Sequence, residues 1–187
     1  MRIVLEKYDH LSFLLDSLIY LSIVKSGRVN YRFDPIQVED SLRKVSEYFS
    51  FKAGDRGISI KKEVEDKLPL IMGDVEYIPF IFRSLIDNAI KFSPDGGNIY
   101  ISVFEDQGDV HISIKDEGIG IPMKELSHIF DRFYQIDGSN SRRYGGNGLG
   151  LYVSKSIVEI HGGNIWIESE EGRGTTVHVI FPGYIPE

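Results

Sequence analysis

Residues 144–151 read Tyr144-Gly145-Gly146-Asn147-Gly148-Leu149-Gly150-Leu151. Gly145, Gly146, Gly148 and Gly150 fall within six consecutive positions, and an apolar helical pattern follows through Leu149, Leu151, Val153, Ile157, Val158 and Ile160. Glycine suits backbone that must take positive φ or approach another group closely. A loop that opens a helix presents free N–H groups, and the helix dipole adds to their attraction for anions. The stretch therefore reads either as a phosphate cradle or as a glycine loop before an ordinary amphipathic helix. It is not a Walker A loop, because GxxxxGK[ST] occurs nowhere in the chain.

Working outward, the 187-residue chain suits one compact domain with an appendage, and its 42% hydrophobic and 26% charged residues are ordinary for a globular fold. A net charge of −7 argues against a general nucleic-acid surface. Cysteine is absent, so disulfides and thiolate chemistry are excluded. No signal peptide and no bilayer-length apolar run is present, which predicts no direct membrane contact.

Upstream, residues 3 to about 25 predict a long helix. Val4, Tyr8, Leu11, Leu15 and Leu18 step by 4, 3, 4 and 3, a heptad seam that Leu14 and Leu21 widen. Such a stripe needs a partner. None is evident downstream, which predicts a helical bundle formed with sequence outside this chain or with another copy. The alternative is a helix folded back on its own domain. Ser26-Gly27 is expected to end it. A short strand is expected near Val29–Phe33, with Asp34-Pro35 starting a helix that carries Val38, Leu42, Val45 and Phe49. Ile58, Ile60 and Val64 predict a strand. Residues 68–74 read as a connection to a second helix over about Val75 to Phe92.

Two alternating runs, Ile99/Ile101/Val103 and Val110/Ile112/Ile114, predict a hairpin around Gln107-Gly108-Asp109. A short helix is expected after Pro122, ending near Phe130. Residues 131–147 are too long and polar for a routine connection and read as a lid or a disordered loop. Ile165/Ile167 and Val177/Val179/Phe181 predict a second hairpin around Glu171-Gly172-Arg173-Gly174. The sum is an α/β two-layer sandwich: one mixed, mostly antiparallel sheet with helices on one face, preceded by the long helix. His111 and His178 fall on strand positions facing away from the apolar residues. His128 and His161 lie near helix ends, where a cation is favourable.

Four stretches stand in register: Ser84-Leu-Ile-Asp-Asn88-Ala-Ile-Lys91-Phe92, Asp116-Glu-Gly118-Ile-Gly120, Phe130-Asp-Arg-Phe133-Tyr134, and Gly145 to Leu151. In this order and spacing they resemble the N box, first glycine box, F box and second glycine box of sensor histidine kinases, and Gly174-Thr175 extends the match toward the C-terminus. The resemblance implies the ATP-binding fold shared with type II topoisomerases, heat-shock chaperones and mismatch-repair ATPases. It implies ATP and Mg²⁺ as cofactors and a cognate response regulator as partner. It also implies a homodimer through the bundle helices, and a cytoplasmic location, alone or as the cytoplasmic part of a membrane-bound sensor. Residues 1–26 then correspond to the second helix of an incomplete dimerisation bundle and 27–187 to the catalytic ATP-binding domain.

Carried over residue by residue, the resemblance implies that Asn88 offers a neutral oxygen to Mg²⁺, the alternative being a cap or bond to a neighbouring loop. It implies that Lys91, three residues on and on the same helix face, meets phosphate, the alternative being a solvated surface lysine. Asp116 is expected to accept a hydrogen bond from the adenine amino group, the alternative being a turn aspartate before glycine. Gly118, Gly120 and Ile121 pass beside the base, and Phe92 is either an adenine contact or plain core. Phe133 and Tyr134 anchor the lid or bury a helix end. Arg142 and Arg143 are either cationic candidates for the γ-phosphate or exposed basic residues. Gly145, Gly146, Asn147, Gly148, Leu149 and Gly150 form the cradle, and Thr175 closes it.

Gln135 stands where many members carry an arginine. Ser84 stands where they usually carry asparagine, so its polar contact is expected to be weakened or replaced. In hydrolysing relatives the residue four before the Mg²⁺ asparagine is a glutamate. Ser84 at that position is no general base, which disfavours an ATP-hydrolysing clamp. His10 is followed by Leu11-Ser12-Phe13 with no acidic residue or nearby proline, unlike the family's acceptor segment. The phosphate-accepting histidine is therefore expected upstream of Met1.

Overall fold

A computed structural model describes residues 2–25, 30–136 and 147–185, with side chains of the first helix described from 11 to 24. Helices α1 (Arg2–Lys25), α2 (Val38–Gly54), α3 (Ile78–Lys91) and α4 (Gly150–Ile160) accompany strands β1 (Asp34–Ile36), β2 (Ile58–Val64), β3 (Leu70–Gly73), β4 (Gly97–Asp106), β5 (Asp109–Asp116), β6 (Asn164–Glu170), β7 (Gly174–Phe181) and β8 (Gly183–Tyr184). Five strands form one sheet in the order β2-β4-β5-β7-β6; β2 runs parallel to β4 and the other pairs are antiparallel.

The period-two pattern sets the sheet's register. Ile101 pairs with Ile114, Ile114 with Val177, Ile112 with Val179 and Val179 with Ile165, so cross-strand apolar partners line one face. That face packs on α3, whose Ile78, Ile81, Phe82, Leu85, Ile86, Ala89 and Ile90 are all buried. Truncating one of these large side chains to alanine typically costs ~2–5 kcal/mol, so this interface carries much of the fold. The β4–β5 turn is the expected hairpin: Gln107 and Gly108 both take positive φ, at 55° and 94°, matching the twist of the strands.

Local reading misplaces several elements. Asp34-Pro35 is not a helix start but strand β1, and α2 begins at Val38. Residues 70–73 are not a plain connection; they form β3, which pairs with β1 and β8 in a second, three-stranded sheet. Pro35 is tolerated because β1 is an edge strand of that sheet. Helix α3 starts three residues late, because Asp74 first builds a turn: its Oδ1 accepts from Glu76 N at 2.8 Å and its Oδ2 from Arg32 N at 2.8 Å. The helix expected after Pro122 is a single 3₁₀ turn, Met123–Glu125.

Helix α1 has two apolar faces. Leu11, Leu15 and Leu18 are exposed, at 66%, 57% and 48%. Ser17, Tyr20 and Leu21 are buried, so Leu21 belongs to a docked face and not to the seam. Phe13 stacks on Phe80 at 4.6 Å, Tyr20 meets Tyr77 edge-on at 5.4 Å, and the Tyr20 hydroxyl lies 2.9 Å from that of Tyr31. Burial and Tyr20 together push the Tyr31 phenol far above the usual tyrosine range. Among the described residues no helix is long and apolar enough to cross a membrane.

Candidate functional site

The last turn of α3 brings Asn88, Lys91 and Phe92 to the edge of the sandwich. Asn88 is half-buried, and its side-chain amide bonds to no other described residue. The Lys91 ammonium lies 4.6 Å from the Phe92 ring centroid. Burial pulls its pKa below the ordinary lysine value; nearby Asp87 opposes that shift and Lys52 adds to it. A cation held in this way gains from any anion that arrives.

Strand β5 ends on Asp116, which is only 6% exposed. Its Oδ1 accepts two backbone N–H groups, from Gly118 at 2.9 Å and Thr175 at 3.2 Å. Burial raises its pKa, and those two donors oppose the rise. Both donors converge on Oδ1, so Oδ2 is left as an acceptor. The glycines here serve the protein's own backbone. A Cβ on Gly118 would lie 2.2 Å from the Phe92 carbonyl oxygen, and one on Gly120, at φ 66°, 2.1 Å from that of Glu170. The same contact joins the first two motifs, since Ile119 N donates to Phe92 O at 3.0 Å. Ile121 N donates to Ser169 Oγ, which in turn holds Gly174 O and sits 2.9 Å from Thr175 Oγ1.

The third and fourth motifs meet as tightly. Phe133 N donates to Gly148 O at 2.9 Å, and a Cβ on Gly148, at φ 64°, would lie 2.4 Å from Tyr134 O. Phe133 itself takes φ 63° and is 56% exposed, whereas the Tyr134 hydroxyl donates to Glu125. Asn147 Oδ1 accepts from Leu149 N at 3.3 Å. Leu149, the N-cap of α4, offers no side-chain cap, and among the described residues no side chain bonds the first-turn N–H groups, the kind of donors that attract an anion. Leu149 is 1% exposed, which limits any ligand contact there to its backbone. Gly150 abuts α3: a Cβ there would lie 2.6 Å from Ser84 Oγ, a buried hydroxyl with no partner among the described residues. Ser84 thus packs two motifs together and holds no polar partner among the described residues.

Arg142, Arg143, Gly145 and Gly146, with most of the stretch read as a lid, lie outside the described residues. A groove of about 600 Å³ among Ile19, Tyr20, Val45, Tyr48 and Phe80 touches none of the motif residues and belongs to the docking of α1. Ser169 was not legible as part of the site, because its role depends on the pairing of Ser169 with Thr175 across β6 and β7. His161 corrects the expectation of a favourable cation. It is 7% exposed, and burial lowers its pKa; its Nδ1 lies 2.7 Å from Ile157 O while Nε2 accepts Asp74 N at 3.0 Å, so it sits neutral. His111 and His178 do face away from the core. They lie 3.1 Å apart, nitrogen to nitrogen, with Trp166 stacked on His178 at 4.8 Å.

This convergence of a polar helix end, a buried carboxylate before Gly-x-Gly and an uncapped glycine-led helix has a known counterpart. A profile described as histidine kinase-, DNA gyrase B-, and HSP90-like ATPase matches residues 73–185. The chain belongs to this ATPase family. The family match takes in every candidate residue, while α1, α2 and the first two strands precede it. The chain is 44% identical over 169 residues to the methyl sulfide methyltransferase-associated sensor of Methanosarcina acetivorans, covering 90% of this chain and 17% of that protein. It is 35% identical over 171 residues to the sensor histidine kinase WalK of Bacillus subtilis, covering 90% and 28%. The crystal structure of full-length ShkA in complex with AMPPNP resembles the fold with a TM-score of 0.81 at 27% identity, covering 97% of this chain and 37% of that one. The chain spans less than a third of the length of either curated relative.

Proposed function

We propose that this chain is the catalytic part of a sensor histidine kinase, which binds ATP and passes its γ-phosphoryl group to a histidine on a helix outside this chain, for relay to a response regulator. The observation that carries the reading is the joined site: the end of α3 with Asn88 and Lys91 is bonded to the glycine motif after Asp116 through Ile119 N and Phe92 O, and the start of α4 abuts α3 where Gly150 meets Ser84 Oγ. Asp116 Oδ2 would accept the adenine amino group, giving preference over guanine, whose corresponding position carries an oxygen. Lys91 and the first-turn N–H groups of α4 would hold the phosphates.

The donor set also suits Mg²⁺. Asn88 presents one neutral amide oxygen with no described partner, which fits an ion that keeps several waters and shares phosphate oxygens. When bound, Mg²⁺ would neutralise charge on the phosphates. The chain's own residues contribute position and electrostatics, as in other phosphoryl transfers. A hydrolysing clamp would need a base near Asn88, and Ser84 is instead packed against Gly150. We assign residues 1–26 to the second helix of a dimerisation bundle. The exposed Leu11, Leu15 and Leu18 would meet a bundle helix outside this chain or a second copy.

The test is incubation with γ-labelled ATP, alone and with a fragment carrying a first bundle helix, followed by mapping of acid-labile phosphate. Label is expected on the supplied helix and not on this chain. Asn88→Ala should abolish the transfer while circular dichroism stays unchanged. Stoichiometric label on His10 would overturn the acceptor argument and the assignment of α1.

A further inference from the structure

Helix α3 places Asp87 four residues before Lys91. An acidic residue one turn N-terminal to a lysine is the favourable order for an intrahelical ion pair. That pair does not form. The Asp87 carboxylate is taken by Lys52, which reaches across from the last turn of α2 and bonds its Oδ1. Both partners of this bridge are about one-third exposed, at 34% and 32%. Lys91 turns to the Phe92 ring instead and ion-pairs with no described carboxylate. Lys52 and Asp87 both act electrostatically on Lys91, so the three charges form one local set.

The arrangement is unusual energetically. A half-buried ammonium would gain by pairing with the carboxylate one turn away. It would then be neutralised and drawn back along the helix, and an arriving phosphate would have to displace a carboxylate. With Lys52 on Asp87, that competitor is occupied and Lys91 keeps its charge for an external anion. We propose that Lys52 is a positioning residue for nucleotide binding: by holding Asp87, it keeps Lys91 uncommitted for the triphosphate. This rests on the reading that Lys91 meets phosphate. The role assigned to Lys52 is through its bridge to Asp87 and not as a contact to the phosphates.

The experiment is calorimetric titration of Mg²⁺-ATP into the chain and four variants, each checked for unchanged thermal melting. Lys52→Met is expected to weaken binding about three- to tenfold, because Asp87 is released to Lys91. Lys52→Arg keeps the bridge and should bind like the parent chain. Asp87→Asn should bind at least as tightly as the parent, and in the Lys52→Met/Asp87→Asn double variant affinity should return, since no carboxylate remains to compete. A merely structural bridge between α2 and α3 would leave the double variant as weak as Lys52→Met, and that result overturns the proposal. Parent-like binding by Lys52→Met overturns it too. Absence of binding by the parent chain would remove the nucleotide reading itself, and the positioning role with it.

Discussion

Asp116 uses its two oxygens unequally. Oδ1 fastens the first glycine motif and strand β7, through Gly118 N and Thr175 N, and Oδ2 has no described donor. An asparagine can keep Oδ1 as a carbonyl and present an amide NH₂ where Oδ2 was, turning an acceptor into a donor. Asp116→Asn should therefore fold normally but lose ATP affinity by about ten- to a hundredfold, the worth of one hydrogen bond to a charged group. Calorimetry with ATP and GTP checks this, and undiminished ATP binding would remove Asp116 from adenine recognition. The carboxylate was legible because it ends an alternating run just before Gly-x-Gly. The identity of its two donors was not, since Thr175 lies fifty-nine residues away along the chain.

At the level of elements, Gly118, Gly120 and Gly148 are joints between backbones. Gly120 combines positive φ with a carbonyl 2.1 Å from where a Cβ would sit, whereas Gly108, at φ 94°, has nothing within 4 Å. The two positions separate strain from collision. Gly108→Ala is expected to cost about 1 kcal/mol, the conformational share alone. Gly120→Ala should cost at least ~2 kcal/mol more, because the Glu170 carbonyl must move or the loop must open. Urea denaturation of both variants measures the difference, and equal losses would mean that the β6–β7 turn gives way freely. Helix α1 shows the same division of duty. Its Phe13–Tyr20 face was hidden from a heptad reading, because those residues pack on Phe80 and Tyr77, far along the chain.

Across the whole molecule, stability should fall in mild acid. His161 has a folded pKa below the ordinary value of about 6.5. Above that pH it is neutral in both folded and unfolded chains and contributes no pH dependence. As pH falls through about 6.5 the unfolded chain takes up a proton that the folded chain refuses, so unfolding is favoured until the folded imidazole also titrates. The slope approaches about 1.4 kcal/mol per pH unit for this one group. His111 and His178, also shifted down by burial, act in the same direction. The melting temperature should therefore drop from pH 7.5 to 5.5. His161→Gln keeps an acceptor for Asp74 N but has no titrating group, so its profile should be shallower in that range. A wild-type melting temperature independent of pH would contradict the neutral imidazole at the junction of α4 and β3.

The sequence by itself determined the sandwich, both hairpins, the spans of α2 and α4 to within a few residues, and the register of the four motifs. Each of these is written in local periodicity or in turn chemistry, which neighbouring residues enforce without help. Tertiary structure alone decided that residues 70–73 are a strand, because β3 exists only through its partners β1 and β8. It decided which side of α1 is docked, since both sides are apolar and only the position of Phe80 and Tyr77 distinguishes them. It decided that His161 is neutral, because a helix end favours a cation only where water reaches it and Asp74 N needs an acceptor there. And it decided that Asp87 pairs with Lys52 and not with Lys91, since helix spacing offers the nearer lysine and only the packing of α2 on α3 supplies the other.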